Sequence, residues 1–441
     1  MTKRQEAKAY VLFNDPQWSD PVNLREEIDR TFDICHGCRL CFNLCPSFPS
    51  LFDAVDGHED EVAGLSQAEI DKVEDGCYQC KLCYPKCPYI PPHSFMLDFP
   101  RLMLRLKEDK FLRAGGAGLA AKQMANTDLL GKIGTAVAPI MNATNASPVA
   151  RKAMSLAADI HPDKLLPFYA TESFEDWFRR TRPGGKSRVA DPVARVAFFV
   201  TCSVNWNEVE IGKAAVEVLE RNRVEVVVPP QRCCGMPRMD IADFEGCRTA
   251  MTHNVLGLAP YVDTGYAVVT PGPSCSLMFR DEYPKLAAGK AIEPEVTKVA
   301  AATQDVCEFL VGLHAQGLLD TKFTEPQGKI AYHFPCHLKS QNIGIRSRDL
   351  LALIPGTEVT VTERCSGHDG TWAMKNAHFE ESMKIAKKLT GPMLRAEPDQ
   401  LATDCALAGL NIRQASDRRA LHPIQIVARA YGIADVVREP G

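Results

Sequence analysis

Cys35-His-Gly-Cys38-Arg-Leu-Cys41-Phe-Asn-Leu-Cys45-Pro46 and Cys77-Tyr-Gln-Cys80-Lys-Leu-Cys83-Tyr-Pro-Lys-Cys87-Pro88 are one spacing, C-x2-C-x2-C-x3-C-P, written twice. Three thiolates so spaced grip three irons of one cubane, and the fourth reaches the other cluster. The spacing assigns Cys35, Cys38, Cys41 and Cys87 to one 4Fe–4S cluster, and Cys77, Cys80, Cys83 and Cys45 to a second. Pro46 and Pro88 stop a helix from running on after each fourth Cys. Zinc sites usually show C-x2-C pairs separated by a loop. A disulfide framework needs an oxidising compartment.

Outward from this stretch, the chain divides by texture. Residues 1–34 read as a lead-in with one helix over 21–32. Between the two motifs, the acidic run 53–61 reads as a surface loop, and 67–73 as a helix with Ser66 as N-cap and Glu69 three residues on. Beyond Pro88, Pro100 suits a first helical turn, with Leu102, Met103 and Leu106 as an apolar stripe among Arg101, Arg105 and Lys107. Such a helix either docks on a membrane surface or partner, or packs on the cluster domain; the shortness of the stripe favours packing. Residues 111–182 read as short linking helices, and 181–188 as a linker rich in Pro and Gly.

From Arg195 the pattern becomes strand, helix, strand: strands over 196–200, 224–228 and 266–270, with helices over 208–221 and 240–261. That alternation implies a parallel α/β sheet. The last third repeats it. Ala197 to Cys202 matches Ala331 to Cys336, Cys233-Cys234-Gly235 matches Cys365-Ser366-Gly367, and Pro273-Ser-Cys275 matches Thr403-Asp-Cys405. The intervals from Cys202 to Cys233 to Cys275 are 31 and 42 residues; those from Cys336 to Cys365 to Cys405 are 29 and 40. This is an internal duplication, with its boundary near 317–328. The expected fold is α/β: a helical two-cluster domain of the bacterial ferredoxin type (1–110), a helical connector (111–190), and two duplicated α/β halves (191–320 and 321–441).

Turns at the carboxyl ends of parallel strands converge. Cys202, Cys233, Cys234 and Cys275 therefore form a candidate metal site, suited to a third iron–sulfur cluster or to zinc. The second half offers Cys336, His337, Cys365, His368 and Cys405, a mixed set that suits zinc or an incomplete cluster, or else a degenerate copy that only completes the fold. His333 reads as a core histidine, and Cys247 and Cys307 as core thiols. Asp369 and Asp404 read either as partners that orient a ligating His or as turn residues.

The 441 residues include 17 Cys, with 45% hydrophobic and 24% charged residues. The formal charge of −4 carries no basic excess for nucleic acid. Ligating thiolates make the loaded protein more acidic, by about two charges per oxidised cluster. Residues 1–6 lead into no apolar signal region, and no apolar run of about 18 residues occurs. The expected location is cytoplasmic, or peripheral at the inner face of the membrane. No G-x-G-x-x-G turn marks an intrinsic nucleotide site, so the electrons come from a partner.

Two ferredoxin motifs followed by a duplicated cysteine-rich unit resemble the heterodisulfide reductase-related iron–sulfur proteins with two CCG domains, and among them the C subunits of anaerobic glycerol-3-phosphate dehydrogenases and their relatives. The resemblance runs over nearly the whole chain. It implies an electron-transport protein, an oxidoreductase component that relays electrons between a flavin dehydrogenase or another carrier and quinone or a further acceptor. Members with a complete C…CC…C-x2-C pattern reduce a disulfide at a non-cubane cluster. Here Met278 takes the last Cys position of the first copy, and Ser366 and Ala408 replace two in the second. Three functions follow as expectations: electron-transfer subunit, reductase of a disulfide or other sulfur substrate, and docking or membrane-anchor subunit of a dehydrogenase complex.

Overall fold

An apolar stripe at helical spacing organises the N-terminal region. In the computed structural model, which describes residues 10–187, 189–368 and 370–433, Leu24, Ile28 and Phe32 are buried along the helix Pro21–Cys38. Asp20 caps it by accepting from Val22 N, and nothing stops it before Arg39, a left-handed cap at φ 52°. The helix therefore runs past residue 32 and carries Cys35 and Cys38 on its last turn. The acidic run is a surface turn only over 57–60: its first four residues end the helix Ser47–Asp56, where Phe48, Leu51, Phe52 and Val55 are buried and this face outweighs the polarity of Asp53 and Asp56. The helix Gln67–Asp75 has the expected capping box between Ser66 and Glu69.

Asp98 caps the helix Phe99–Arg113 by accepting from Arg101 N at 3.0 Å. Leu102, Met103 and Leu106 are buried, and so are Arg101 and Arg105. Arg101 lies over the Tyr10 ring at 3.4 Å, and Arg105 Nε donates to Trp18 O at 3.0 Å. The helix is core from Phe99 to Leu106, while Leu112 near its end is exposed.

The connector contains helices Leu119–Ala125, Thr127–Ala136, Ala138–Ala146, Pro148–Ala158 and Phe174–Thr181. Two glycines seat the second of them. A Cβ on Gly131 would lie 2.2 Å from the Trp206 ring, and one on Gly134 2.3 Å from the Tyr169 ring. The expected linker is anchored: Arg182 is buried and bonds Glu220 at 2.9 Å and also Glu217. Its Arg188 lies outside the described residues, as does Asp369.

The strands are β1 (Ala194–Phe198), β2 (Val224–Val227), β3 (Ala267–Thr270), β4 (Thr303–Asp305), β5 (Gly328–His333), β6 (Thr357–Thr362), β7 (Gln400–Thr403) and β8 (Ala420–Leu421). They make two parallel four-stranded sheets, β2-β1-β3-β4 and β6-β5-β7-β8. The identical order is the structural form of the duplication. Val196, Ala197 and Phe198 are fully buried, as central parallel strands require. The expected helix over 240–261 is two pieces, Met236–Met239 and Phe244–Asp263. One apolar core spans the halves, with Phe198, Val216 and Leu310 in the same cluster as Tyr332 and Val427. Cys202 follows β1, Cys233 follows β2 and Cys275 follows β3; Cys336, Cys365 and Cys405 stand in the same places after β5, β6 and β7.

Candidate iron–sulfur centres and the path between them

Cys35, Cys38, Cys41 and Cys87 line one apolar cavity, closed by Phe48, Phe52 and Leu97. Burial, and then the neighbouring Cys87, Cys41 and Cys38, push the Cys35 thiol well above its ordinary value, and burial with Cys87 pushes Cys41 up to about 11. Tyr89 N lies 3.4 Å from Cys87 Sγ. Cys38, Leu40 and Phe42 are exposed, so this group borders the surface.

The second group lies deeper. Burial raises Cys45 first and Cys77 next; burial raises Cys83 first, then Cys45 and Cys77. Cys83 also feels Cys41 and Cys35, which puts the two groups side by side. Burial raises Cys80 most, followed by Cys365 and Cys336 of the second α/β half. Tyr78, Cys80, Cys365 and Trp372 form one buried cluster, with Cys45 and Cys336 packed against it. Tyr78 and Trp372 stand 4.9 Å apart between ring centres, and Trp372 Nε1 donates to Asp75 O at 2.9 Å. Lys81, inside the motif, pairs with Glu282 of the first half, and burial lowers its ammonium to about 8.

In the first half Cys275 Sγ is 3.3 Å from Cys234 Sγ. Hydrogen bonds join Cys202 and Cys234 to Cys233; they hold Cys233 well below the usual thiol value and raise the other two. Gly235, at φ 89°, makes the turn that leaves Cys234 and starts the next helix. The connector reaches this site: Asp128 Oδ2 accepts from Cys233 N at 2.9 Å, and Thr127 lines the same cavity as Cys233. A cavity of about 180 Å³ opens beside Cys233, lined also by Arg232 and Arg238. Met278 is fully buried in the apolar cluster that holds Cys234 and Cys275.

The second half divides its attention. Cys336 and Cys365 face Cys80, while Cys405 is close enough to Cys275 to feel it. Gly367 N lies 3.3 Å from Cys365 Sγ and Ala408 N 3.4 Å from Cys405 Sγ. A Cβ on Gly367 (φ 70°) would meet Ser382 O at 2.4 Å. His337 is held at both ring nitrogens. Its Nδ1 is 2.9 Å from Ser274 Oγ and its Nε2 3.1 Å from Gln79 O. Nε2–H donates to the carbonyl and Nδ1 accepts from the hydroxyl. The ring ties three segments together. His368 is near Lys164 and His337, and burial lowers it to about 3. His333 is the expected core histidine, bonded to Thr403 Oγ1 and Arg364 O. Cys247 and Cys307 are buried core thiols, as expected. Asp404 orients no histidine. It accepts from Tyr332 at 2.5 Å and from Ser347, and shares a buried pocket with Asp305 and Cys307, their donor atoms within 4.8 Å.

The thiol groups suit clustered iron. Burial first, and neighbouring sulfurs next, raise Cys35, Cys41, Cys45, Cys80 and Cys83 as free thiols; a cationic centre would take them as thiolates. The backbone N–H groups directed at sulfur are those that tune cluster potentials. Thr127, Asp128, Gln79 and Ser274 were missed from sequence, and no spacing signal marks them.

Fold and thiol arrangement define a class: a helical ferredoxin-like unit joined to two cysteine-rich α/β domains. Residues 28–111 match the citrate utilization protein B Fer4-like domain, and residues 196–280 and 330–413 each match the CCG cysteine-rich domain. The C subunit of anaerobic glycerol-3-phosphate dehydrogenase from Escherichia coli K12 is 30% identical over 316 residues, 70% of this chain and 76% of the relative. Lactate utilization protein A of Geobacillus kaustophilus is 30% identical over 53% of this chain and 98% of its own length. The B subunit of the CoM/CoB fumarate reductase of Methanothermobacter marburgensis is 26% identical over 54% and 45%. The chain belongs to the CCG-domain iron–sulfur proteins related to the C subunit of anaerobic glycerol-3-phosphate dehydrogenase. It is an iron–sulfur protein of the kind that serves oxidoreductases in electron transfer.

Proposed function

We propose that the chain is the electron-transfer subunit of a dehydrogenase or reductase complex, with three thiol-held centres in a row. Cys35, Cys38, Cys41 and Cys87 hold the outer 4Fe–4S cluster, and Cys45, Cys77, Cys80 and Cys83 the inner one. Cys202, Cys233, Cys234 and Cys275 hold a third centre, iron–sulfur or zinc. Of the second-half set, Cys336, Cys365 and Cys405 remain as donors, His368 stands beside them, and His337 positions instead of ligating. When bound, the clusters supply one-electron redox capacity. The protein's part is to exclude water with Phe48, Tyr78 and Trp372, and to set the order of the groups. The packing of Cys80 against Cys365 and Cys336, with Cys405 of the same half near Cys275, is the observation that supports this reading.

The exposed edge at Cys38, Leu40 and Phe42 is where a flavoprotein or another carrier exchanges electrons. Among the described residues no helix is long and apolar enough to cross a membrane. The test is anaerobic reduction of the purified protein by a photoreduced flavin, followed by addition of a quinone. The visible cluster absorption is expected to bleach and then return. Absorption that stays unchanged under reduced flavin contradicts the reading.

A second reading, a reductase of a disulfide or another sulfur substrate at the CCG site, draws on the cavity beside Cys233. Cleavage of a disulfide takes two electrons and two protons and yields two thiols. Turnover of a disulfide by the isolated, reduced protein separates it from the first.

A further inference from the structure

The two α/β halves differ at the amino ends of their strands. The second half has Gln327, Gln400, Arg418, Arg419 and Arg429 there. Strand register and the matched helix caps Asp305 and His422 put Val193, Ala267, Ala301, Ala302 and Gly312 in the same places of the first half. The first half builds the same sheet order with small and apolar residues at these positions, so the fold does not call for the polar set. In the second half the five polar residues line one open cavity of about 590 Å³, a size that suits a small metabolite.

The polar set is held in place. Arg429 Nε and Nη2 donate to Gln327 Oε1 at 3.1 and 3.0 Å, and Nη2 also to Gln400 Oε1 at 2.7 Å. Gln400 Nε2 donates in turn to Gln327 O at 2.6 Å, and Gln327 is buried, 6% exposed. Arg418 Nη2 donates to Pro398 O at 3.0 Å and to Asp399 O at 2.9 Å. Among the described residues these two guanidinium groups bond neutral oxygens and no carboxylate, so their charges are positioned but not neutralised. Arg419 differs, because it pairs with Glu208 of the first half at 3.1 Å. Two exposed acids, Glu325 and Asp399, complete the lining.

Two positioned guanidinium groups in one cavity match a dianion, and their forked N–H donors suit phosphate oxygens. The exposed carboxylates accept from hydroxyl groups. The lining has no aromatic residue to stack on a base or a quinone ring. We propose that this cavity binds a small hydroxylated phosphate monoester, with its phosphate on Arg418 and Arg429 and its hydroxyls at Glu325 and Asp399. The cysteines follow the carboxyl ends of the strands, and the cavity lies at the amino ends. The ligand is therefore an effector held away from the thiols, and its site does not depend on the electron-transfer reading.

The test is anaerobic titration calorimetry of the full-length holoprotein with glucose 6-phosphate, inorganic phosphate, glucose and succinate. Glucose 6-phosphate is expected to bind most tightly, inorganic phosphate more weakly, and glucose not measurably. Arg418→Gln/Arg429→Gln is expected to weaken both phosphate ligands by about tenfold or more. Glu325→Gln, at an exposed side chain, is expected to weaken glucose 6-phosphate by about two- to fivefold and to leave inorganic phosphate unchanged. Unchanged visible cluster spectra and unfolding midpoints confirm that each variant is folded. Wild type that binds neither phosphate ligand overturns the proposal. So does phosphate binding that the arginine pair leaves unchanged, or succinate bound more tightly than glucose 6-phosphate. Cluster reduction by flavin is measured apart from these titrations, so failure here is distinct from failure of the electron-transfer reading.

Discussion

Asp305 caps the helix Val306–Ala315 by accepting from Cys307 N at 2.8 Å, and it is fully enclosed beside Asp404. Burial first, and the Asp404 charge second, raise its carboxyl well above the ordinary 3.8. In the folded state it is neutral where the unfolded chain is ionised. Its contribution to stability is therefore complete below the unfolded value and shrinks as pH rises towards the folded one. Asp305→Asn keeps a capping side chain and cannot ionise, so it is expected to be more stable than wild type by about 1–3 kcal/mol near pH 8, with the gain gone near pH 4. Apparent unfolding midpoints at the two pH values check this; an equal difference at both sinks it. His337→Phe leaves the Gln79 carbonyl and the Ser274 hydroxyl without their buried partner, an expected cost of about 1–3 kcal/mol in denaturant unfolding. At this scale the cysteine groups were legible because cluster spacing is local in sequence. The bridge made by His337 was not, because its two partners, Ser274 and Gln79, come from distant segments.

The helices show where pattern reading works and where it stops. The Ser66/Glu69 box and the Asp98/Pro100 start were readable because caps are local chemistry. The acidic run is a surface turn at 57–60, but Asp53 to Asp56 are drawn into a helix by the buried stripe of Phe48, Leu51, Phe52 and Val55. β4 and β8, three and two residues long, are too short to carry a period. The connector hid its function in small residues. Gly131→Val drives a branched side chain into the Trp206 ring and is expected to cost about 1–3 kcal/mol while displacing Thr127 and Asp128 from Cys233. The readout is selective loss of the CCG-centre spectral signature with the two ferredoxin clusters retained. Equal loss of all three would place the effect elsewhere. Leu106→Ala, in the core against the helix Gln67–Asp75, is expected to cost about 2–5 kcal/mol by thermal or denaturant unfolding.

Over the whole molecule, the ferredoxin-like unit and the second α/β half meet through Tyr78, Cys80, Cys365 and Trp372, and Lys81 with Glu282 fastens the same motif to the first half. The duplication, visible in matched cysteine intervals, appears as two sheets of one strand order. Sequence did not reveal that the two copies face different neighbours, since that depends on how the domains dock. Trp372→Ala removes the ring that holds the inner cluster motif against Cys365, with an expected loss of about 3–5 kcal/mol and slowed electron exchange between the inner cluster and the CCG site, read by rapid-freeze EPR. The proposed row has three centres, two ferredoxin clusters ending at a CCG site. Its most direct test is anaerobic iron and acid-labile sulfide quantitation on the intact protein, paired with EPR of the reduced state. Three iron–sulfur centres predict about twelve irons per chain, and about eight with one zinc if the CCG site holds zinc. About four irons, or a reduced-state spectrum of a single isolated 4Fe–4S cluster, would contradict the account.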